Sequence, residues 1–184
     1  EVDPLLQMGA DISARDGRFA PLRIHGRRPL RAIDWKSPVA SAQVKSCLLL
    51  AGLYAEGVTT FEEPLRSRDH MERMMAAAGV KLTVEEKRVG VQGGQSLKPQ
   101  EWVVPSDISS AAFFIVAALL TPGSEVMLRN VNINPTRDGV LEVLNKMGAS
   151  IKQEDVRVVA GEPLADLLVR PAALRATQFG EEIL

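Results

Sequence analysis

Ser41, Gln43 and Lys45, and further along Ser67 and Arg68, are the residues whose types and spacing best suit chemistry, and that chemistry is the capture of a small anion. Ser41-Ala42-Gln43 stands where a strongly apolar helix must begin, and Ser67-Arg68 opens a second periodic run. A helix start carries several backbone N–H groups without intrahelical partners and a partial positive charge, so it holds phosphate or carboxylate well. Ser41 adds a hydroxyl, Gln43 an amide and Lys45 a cation in the first turn. Arg68 can give a bidentate pair to a phosphate or carboxylate. The same residues also serve without any ligand, with Ser41 and Ser67 as N-caps and Arg68 as a solvated charge. On spacing alone, capping is the simpler account.

A second, weaker set follows: Asp107, Ser109 and Ser110 at one helix start, and Asn134, Thr136 and Arg137 at the next. A carboxylate near a helix start is expected from the dipole alone, so Asp107 reads as structural. No Gly-rich phosphate loop, Ser/His/Asp set or paired-carboxylate motif stands out, and no residue is assigned as catalytic. Cys47 is the only cysteine, which rules out an intrachain disulfide and favours a reducing compartment. It lies in an apolar helix and reads as a packed, inert thiol. His25 and His70 are far apart in sequence, so a zinc site built from them is not expected, and no metal or cofactor is assigned.

The elements that must position these residues are written more than once. Leu6-Gln7-Met8-Gly9-Ala10, Ala76-Ala77-Ala78-Gly79-Val80 and Asn145-Lys146-Met147-Gly148-Ala149 are each a helix end, a glycine stop and the entry to a strand. Their glycines, at 9, 79 and 148, lie 70 and 69 residues apart. A period this long implies a duplicated supersecondary unit rather than a solenoid. The helices are expected at Val44–Ala55, Arg68–Ala78, Ser110–Leu120 and Arg137–Met147. The strands are expected at 11–14, 22–25, 32–34, 58–61, 81–84, 88–91, 102–104, 125–128, 150–152 and 157–159. The fold class is therefore α+β, built from repeated β-α-β-α-β-β units. Residues 1–31 form the end of a truncated unit, 32–105 a complete unit and 106–184 a further unit cut short at its C-terminal end. The first helix of each later unit is apolar nearly all round and belongs in the middle of a core, with Phe113 and Phe114 as packing residues.

Bulk properties exclude several classes. An apolar content of 46% supports one or two globular domains. A net charge of −1 and 4% aromatic residues argue against a nucleic-acid binder. The longest apolar stretch, Ala111 to Leu120, is too short to span a bilayer, and Glu1-Val2-Asp3 does not open a signal peptide. The chain has no initiating Met, begins inside a helical pattern and stops at Glu182-Ile183-Leu184 without a closing signal, so it reads as a fragment of a longer protein.

Four segments are more specific. Ser37-Pro38-Val39-Ala40-Ser41-Ala42-Gln43-Val44-Lys45-Ser46-Cys47-Leu48-Leu49-Leu50-Ala51-Gly52-Leu53, Ser67-Arg68-Asp69-His70-Met71-Glu72-Arg73-Met74, Val104-Pro105-Ser106-Asp107-Ile108-Ser109-Ser110-Ala111-Ala112-Phe113 and Asn134-Pro135-Thr136-Arg137 closely resemble, in the right order, segments of the 5-enolpyruvylshikimate-3-phosphate synthase family. The resemblance spans essentially the whole chain but corresponds to only the central part of a family member.

The resemblance implies an enolpyruvyl transferase fold of two lobes, each of three β-α-β-α-β-β units, with the boundary between lobes near Val104 to Asp107. It implies transfer of the enolpyruvyl group of phosphoenolpyruvate to the 5-hydroxyl of shikimate 3-phosphate, in the shikimate pathway of aromatic amino acid biosynthesis, with glyphosate competing for the phosphoenolpyruvate place. It matches Ser41, Ala42 and Gln43 to shikimate-3-phosphate contacts, and Gln43 also to a position that reaches phosphoenolpyruvate. Arg68 matches an arginine, and Ser67 a serine, that meet shikimate 3-phosphate in different subgroups. The family's catalytic acids and the cations that hold phosphoenolpyruvate fall outside residues 1–184, so the chain alone is expected to be inactive; its all-round apolar helices would lose partners from missing units, so it is also expected to be unstable. The full-length protein is expected to be a monomer of the cytoplasm, or of the plastid in a plant, with no membrane or nucleic-acid partner. Two other readings remain open: a relative acting on UDP-N-acetylglucosamine, and a non-catalytic β-α-β-α-β-β binding module.

Overall fold

The computed structural model describes residues 2–180. Glu1 and the Glu182-Ile183-Leu184 end, on which the reading of a fragment drew, lie outside the described residues. The chain divides into two compact units, residues 1–100 and 101–184.

The first unit contains α1 (Val2–Gln7), β1 (Asp11–Arg15), β2 (Phe19–His25), β3 (Leu30–Arg31), β4 (Asp34–Lys36), α2 (Ala42–Gly52), β5 (Ala55–Glu56), β6 (Val58–Glu62), α3 (His70–Ala77), β7 (Leu82–Val84) and β8 (Arg88–Gln92). β1 and β2 form an antiparallel hairpin, and β3 pairs with β5 in parallel. The main sheet has the order β4-β6-β8-β7, with β4 and β6 parallel and the other pairs antiparallel. A parallel pair needs a crossover, and α2 supplies it. Leu48 and Leu49 of α2, Met75 of α3, and Phe61, Val89 and Val91 of the sheet close the core with Met8. Each such side chain contributes about 1.5–3 kcal/mol by leaving water.

The three glycine stops share one geometry. Gly9, Gly79 and Gly148 have φ of +83°, +84° and +86°. The next residue in each case, Ala10, Val80 or Ala149, donates its N–H five residues back, to Leu5, Met75 or Leu144. This is the Schellman closure, whose left-handed residue costs a side chain with a Cβ far more than it costs glycine.

The second unit contains α4 (Ile108–Leu120), β9 (Val126–Asn132), α5 (Gly139–Lys146), β10 (Ser150–Val159) and β11 (Glu162–Arg170). Its sheet has the order β10-β11-β9, antiparallel throughout. In both main sheets the last strand of the unit lies between the penultimate strand and the strand that follows the apolar helix. Ile115 and Leu119 of α4, Leu141 and Leu144 of α5, and Val131, Leu167 and Val169 form the core.

Several sequence expectations need correction. Trp102-Val103-Val104 is not a strand; Val104 is 87% exposed, and only Ser106 bridges to Val131. Strand propensity reflects fit to a half-buried pleated surface, and these valines meet none. The separate strands expected at 150–152 and 157–159 are one strand, β10, which bulges through Asp155 at φ +45°. Its hairpin partner β11 was not anticipated. Ala160 and Gly161 join the two with φ of +50° and +85°, the pattern of a two-residue type I′ turn.

The all-round apolar helices are not buried all round. Ile108, Ala111, Ile115, Ala118 and Leu119 form one buried stripe on α4, whereas Phe113 and Phe114 are 80% and 63% exposed. One sheet covers one stripe of a helix, and nothing among the described residues covers the rest of α4. On α2, Leu50 is likewise exposed and Cys47 only half-buried.

Candidate functional site

Ser41 lies in extended backbone immediately before α2, and its Oγ accepts the N–H of Val44. Its carbonyl accepts the N–H of Lys45 at 3.0 Å. The N–H groups of Ala42 and Gln43 donate to no partner among the described residues, and neither does the exposed Gln43 side chain. The start of α2 thus presents two backbone donors and an amide to solvent, an arrangement suited to a phosphate or carboxylate.

Lys45 is not part of that donor set. It is only 2% exposed, and its ammonium lies 3.1 Å from Glu63 Oε1 and 2.8 Å from Glu72 Oε1. At about 100° per residue, positions 43 and 45 face nearly opposite sides of the helix. Gln43 therefore faces solvent while Lys45 faces the interior.

Ser67 is not a helix cap. α3 begins at His70 with Asp69 before it, and Ser67 and Arg68 lie in the preceding loop. The Ser67 N–H donates to Glu63 Oε1 at 2.9 Å, and its carbonyl accepts from Lys45 Nζ at 3.3 Å. Its Oγ is buried without a hydrogen-bond partner among the described residues. Arg66 and Arg73 hold Asp69 at 3.0 and 2.8 Å. Arg68, between these fixed points, is half-buried and has no ion pair among the described residues. The structure thus brings the Ser67 peptide against α2; no hydrogen bond joins Gln43 to Arg68 among the described residues.

In the second unit the comparable groups are spent on one another. Asp107 caps α4 by accepting the N–H groups of Ser109 and Ser110, and Arg137 donates to Asp107 and to Ser109 Oγ. Partial burial pushes the Asp107 carboxyl upward, but the Ser109 N–H and Arg137 outweigh it and hold the group below the usual carboxylate range. Asn134 is fully buried and folds its own turn, its Oδ1 accepting from the N–H and hydroxyl of Thr136. α5 begins later than expected, at Gly139. Among the described residues no group of three or more His, Cys, Asp or Glu is arranged to hold a metal ion, and no helix is long and apolar enough to cross a membrane.

The acidic partners of Lys45 escaped the sequence reading. The available signal was a lysine at a core-facing position of an apolar helix, which requires a buried partner. Which carboxylates supplied it depended on how β6 and α3 pack.

The profile of the family described as EPSP synthase (3-phosphoshikimate 1-carboxyvinyltransferase) matches residues 1–178. The 3-phosphoshikimate 1-carboxyvinyltransferase of Synechocystis is 57% identical over 186 aligned residues, covering 100% of this chain and 41% of the relative. That of Geobacter sulfurreducens is 55% identical, covering 99% and 42%. A solved EPSP synthase from Acinetobacter baumannii superposes with a TM-score of 0.89 at 44% identity, covering 98% of this chain and 41% of that one. The fold is thus the α+β fold of the enolpyruvyl transferase type. The chain belongs to the EPSP synthase family. It spans about two-fifths of the length of the curated relatives it matches.

Proposed function

We propose that the protein containing this segment transfers the enolpyruvyl group of phosphoenolpyruvate to the 5-hydroxyl of shikimate 3-phosphate, releasing phosphate. In this reading the segment supplies contacts to shikimate 3-phosphate through Ser41, Ala42, Gln43, Ser67 and Arg68, with Gln43 also reaching phosphoenolpyruvate. No catalytic group is assigned within residues 1–184. Residues 1–31 end one β-α-β-α-β-β unit of the first lobe, 32–105 form a complete unit of that lobe, and 106–184 belong to the second. The whole protein works as a monomer in the cytoplasm, or in the plastid of a plant, without a nucleic-acid or membrane partner.

The observation that carries this reading is the set of unspent donors. Two backbone N–H groups, the Gln43 amide and the Arg68 guanidinium have no partner among the described residues, in a family whose relatives are named for shikimate chemistry. Their complement is a small anion carrying phosphate and carboxylate. Family membership weighs against a non-catalytic module, and the relatives' names weigh against an acceptor built on UDP-N-acetylglucosamine. Isothermal titration of the whole protein with shikimate 3-phosphate tests the reading. Saturable binding that weakens in Arg68→Ala and Gln43→Ala supports it, and wild-type affinity in both removes these residues from the site.

A further inference from the structure

Lys45, Glu63 and Glu72 form a buried cluster of one ammonium and two carboxylates, only 2%, 4% and 9% exposed. The ammonium has three donors, and all are used: Glu63 at 3.1 Å, Glu72 at 2.8 Å and the Ser67 carbonyl at 3.3 Å. Glu63 Oε1 accepts from Lys45 and from the Ser67 N–H, while Glu63 Oε2 and Glu72 Oε2 are buried with no partner among the described residues. The neighbouring cavity has a volume of about 10 Å³, too small for any substrate. A buried cluster with excess carboxylate is a poor source of stability, because apolar groups of similar volume often do as well or better. What it does supply is position. Three elements meet at it: α2, the loop after β6 that carries Glu63 and Ser67, and α3. Both polar backbone groups of Ser67 are gripped, one by each sign of charge.

We infer that Lys45 and Glu63 are positioning residues that hold the Ser67–Arg68 segment against the start of α2 and thereby place Arg68 on the bound phosphorylated acid. This rests on the reading given under the proposed function. Neither residue touches the ligand. Lys45 has no free donor, and Glu63 would repel an anion. They act through the Ser67 peptide and Arg68.

The test is a double-mutant cycle in the whole protein, read by isothermal titration with shikimate 3-phosphate. Glu63 is substituted rather than Lys45, because Lys45→Met would leave two carboxylates buried without a counter-ion. Glu63→Met avoids this, because Lys45 and Glu72 remain a one-to-one pair. It removes the acceptor of the Ser67 N–H and should raise the dissociation constant about tenfold. Glu63→Gln keeps an acceptor there and should stay within about threefold of wild type. Arg68→Ala should cost roughly ten- to hundredfold in the wild-type background but less than about threefold in Glu63→Met, because the guanidinium is already misplaced. Equal costs of Arg68→Ala in both backgrounds, equal losses in Glu63→Met and Glu63→Gln, or unchanged affinity in Glu63→Met would each overturn the inference while leaving the site reading in place. Absence of binding by the wild-type protein would remove the site reading, and the positioning role with it.

Discussion

Arg137 and Asp107 meet at 3.2 Å across 30 residues of chain, and the same guanidinium donates to Ser109 Oγ at 3.0 Å. Arg68, the corresponding arginine of the preceding unit, has no such partner among the described residues. One arginine is spent on a helix cap, and the other is the one proposed to meet the ligand. Arg68→Ala should therefore raise the dissociation constant for shikimate 3-phosphate roughly ten- to hundredfold with little change in melting temperature. Arg137→Ala should leave that constant unchanged and cost about 0.2–1 kcal/mol of stability, as expected of a partly exposed pair. Calorimetric titration and thermal denaturation of both variants check the contrast; equal losses of affinity would refute it.

Ser41 caps α2 and is also proposed to border the anion, and the two roles separate by substitution. Its Oγ caps α2 and its neighbours supply the free N–H groups. Ser41→Ala should cost about 1 kcal/mol of stability through the lost cap. Ser41→Asp keeps a capping oxygen, but its added negative charge should repel an anionic ligand. In the whole protein, Ser41→Asp should therefore melt close to wild type and bind shikimate 3-phosphate more weakly than Ser41→Ala does. The reverse order of affinities would place the anion elsewhere.

Gly93 fills a place no other residue can. A Cβ built there would lie 1.8 Å from the backbone carbonyl oxygen of Ala55 and 2.9 Å from that of Gly52. Backbone cannot step aside as a flexible side chain can, so Gly93→Ala should cost about 3 kcal/mol or more, at the severe end of overpacking. Chemical denaturation of the whole protein measures this. A loss below about 0.5 kcal/mol would mean that the β8 end relaxes freely.

Asp166 sits opposite a bulge in β9. Asn130, at φ +54°, donates its N–H to the carboxylate, and Arg157 and Arg129 lie nearby. The backbone bond leads in holding this carboxyl below its usual range, and the arginines add to it against the opposing effect of burial. A depressed carboxyl contributes stability that is present above its unfolded value and lost as pH falls through its folded value. The acid limb of stability due to Asp166 should thus lie below about pH 4. In Asp166→Asn the protein should lose stability at pH 7 and show a shallower decline from pH 4 to 2. An unchanged slope would mean that another carboxylate controls acid unfolding.

Much of this arrangement was legible in the residues. The glycine stops, the order of helices and strands and the start of α2 follow from local rules: a left-handed glycine after a periodic run, a serine before an apolar one, and branched residues between turns. Ser41 and Gln43 could be picked out because the donors of a helix start belong to the backbone itself. Long-range outcomes were not legible in the same way. Lys45 read as a ligand cation until Glu63 and Glu72 met it, and Ser67 read as a cap until its peptide was seen held between the two charges.

By itself, then, the sequence determined the kinds of element, where they stop and which backbone groups are left with free donors, because each depends on residues within a few positions of one another. Only the tertiary structure decided which charges are spent and which are free. Whether a lysine faces a phosphate or two buried glutamates depends on partners such as Glu63 and Ser67, 18 and 22 residues away in sequence, and a buried ammonium must be paired wherever the packing puts it.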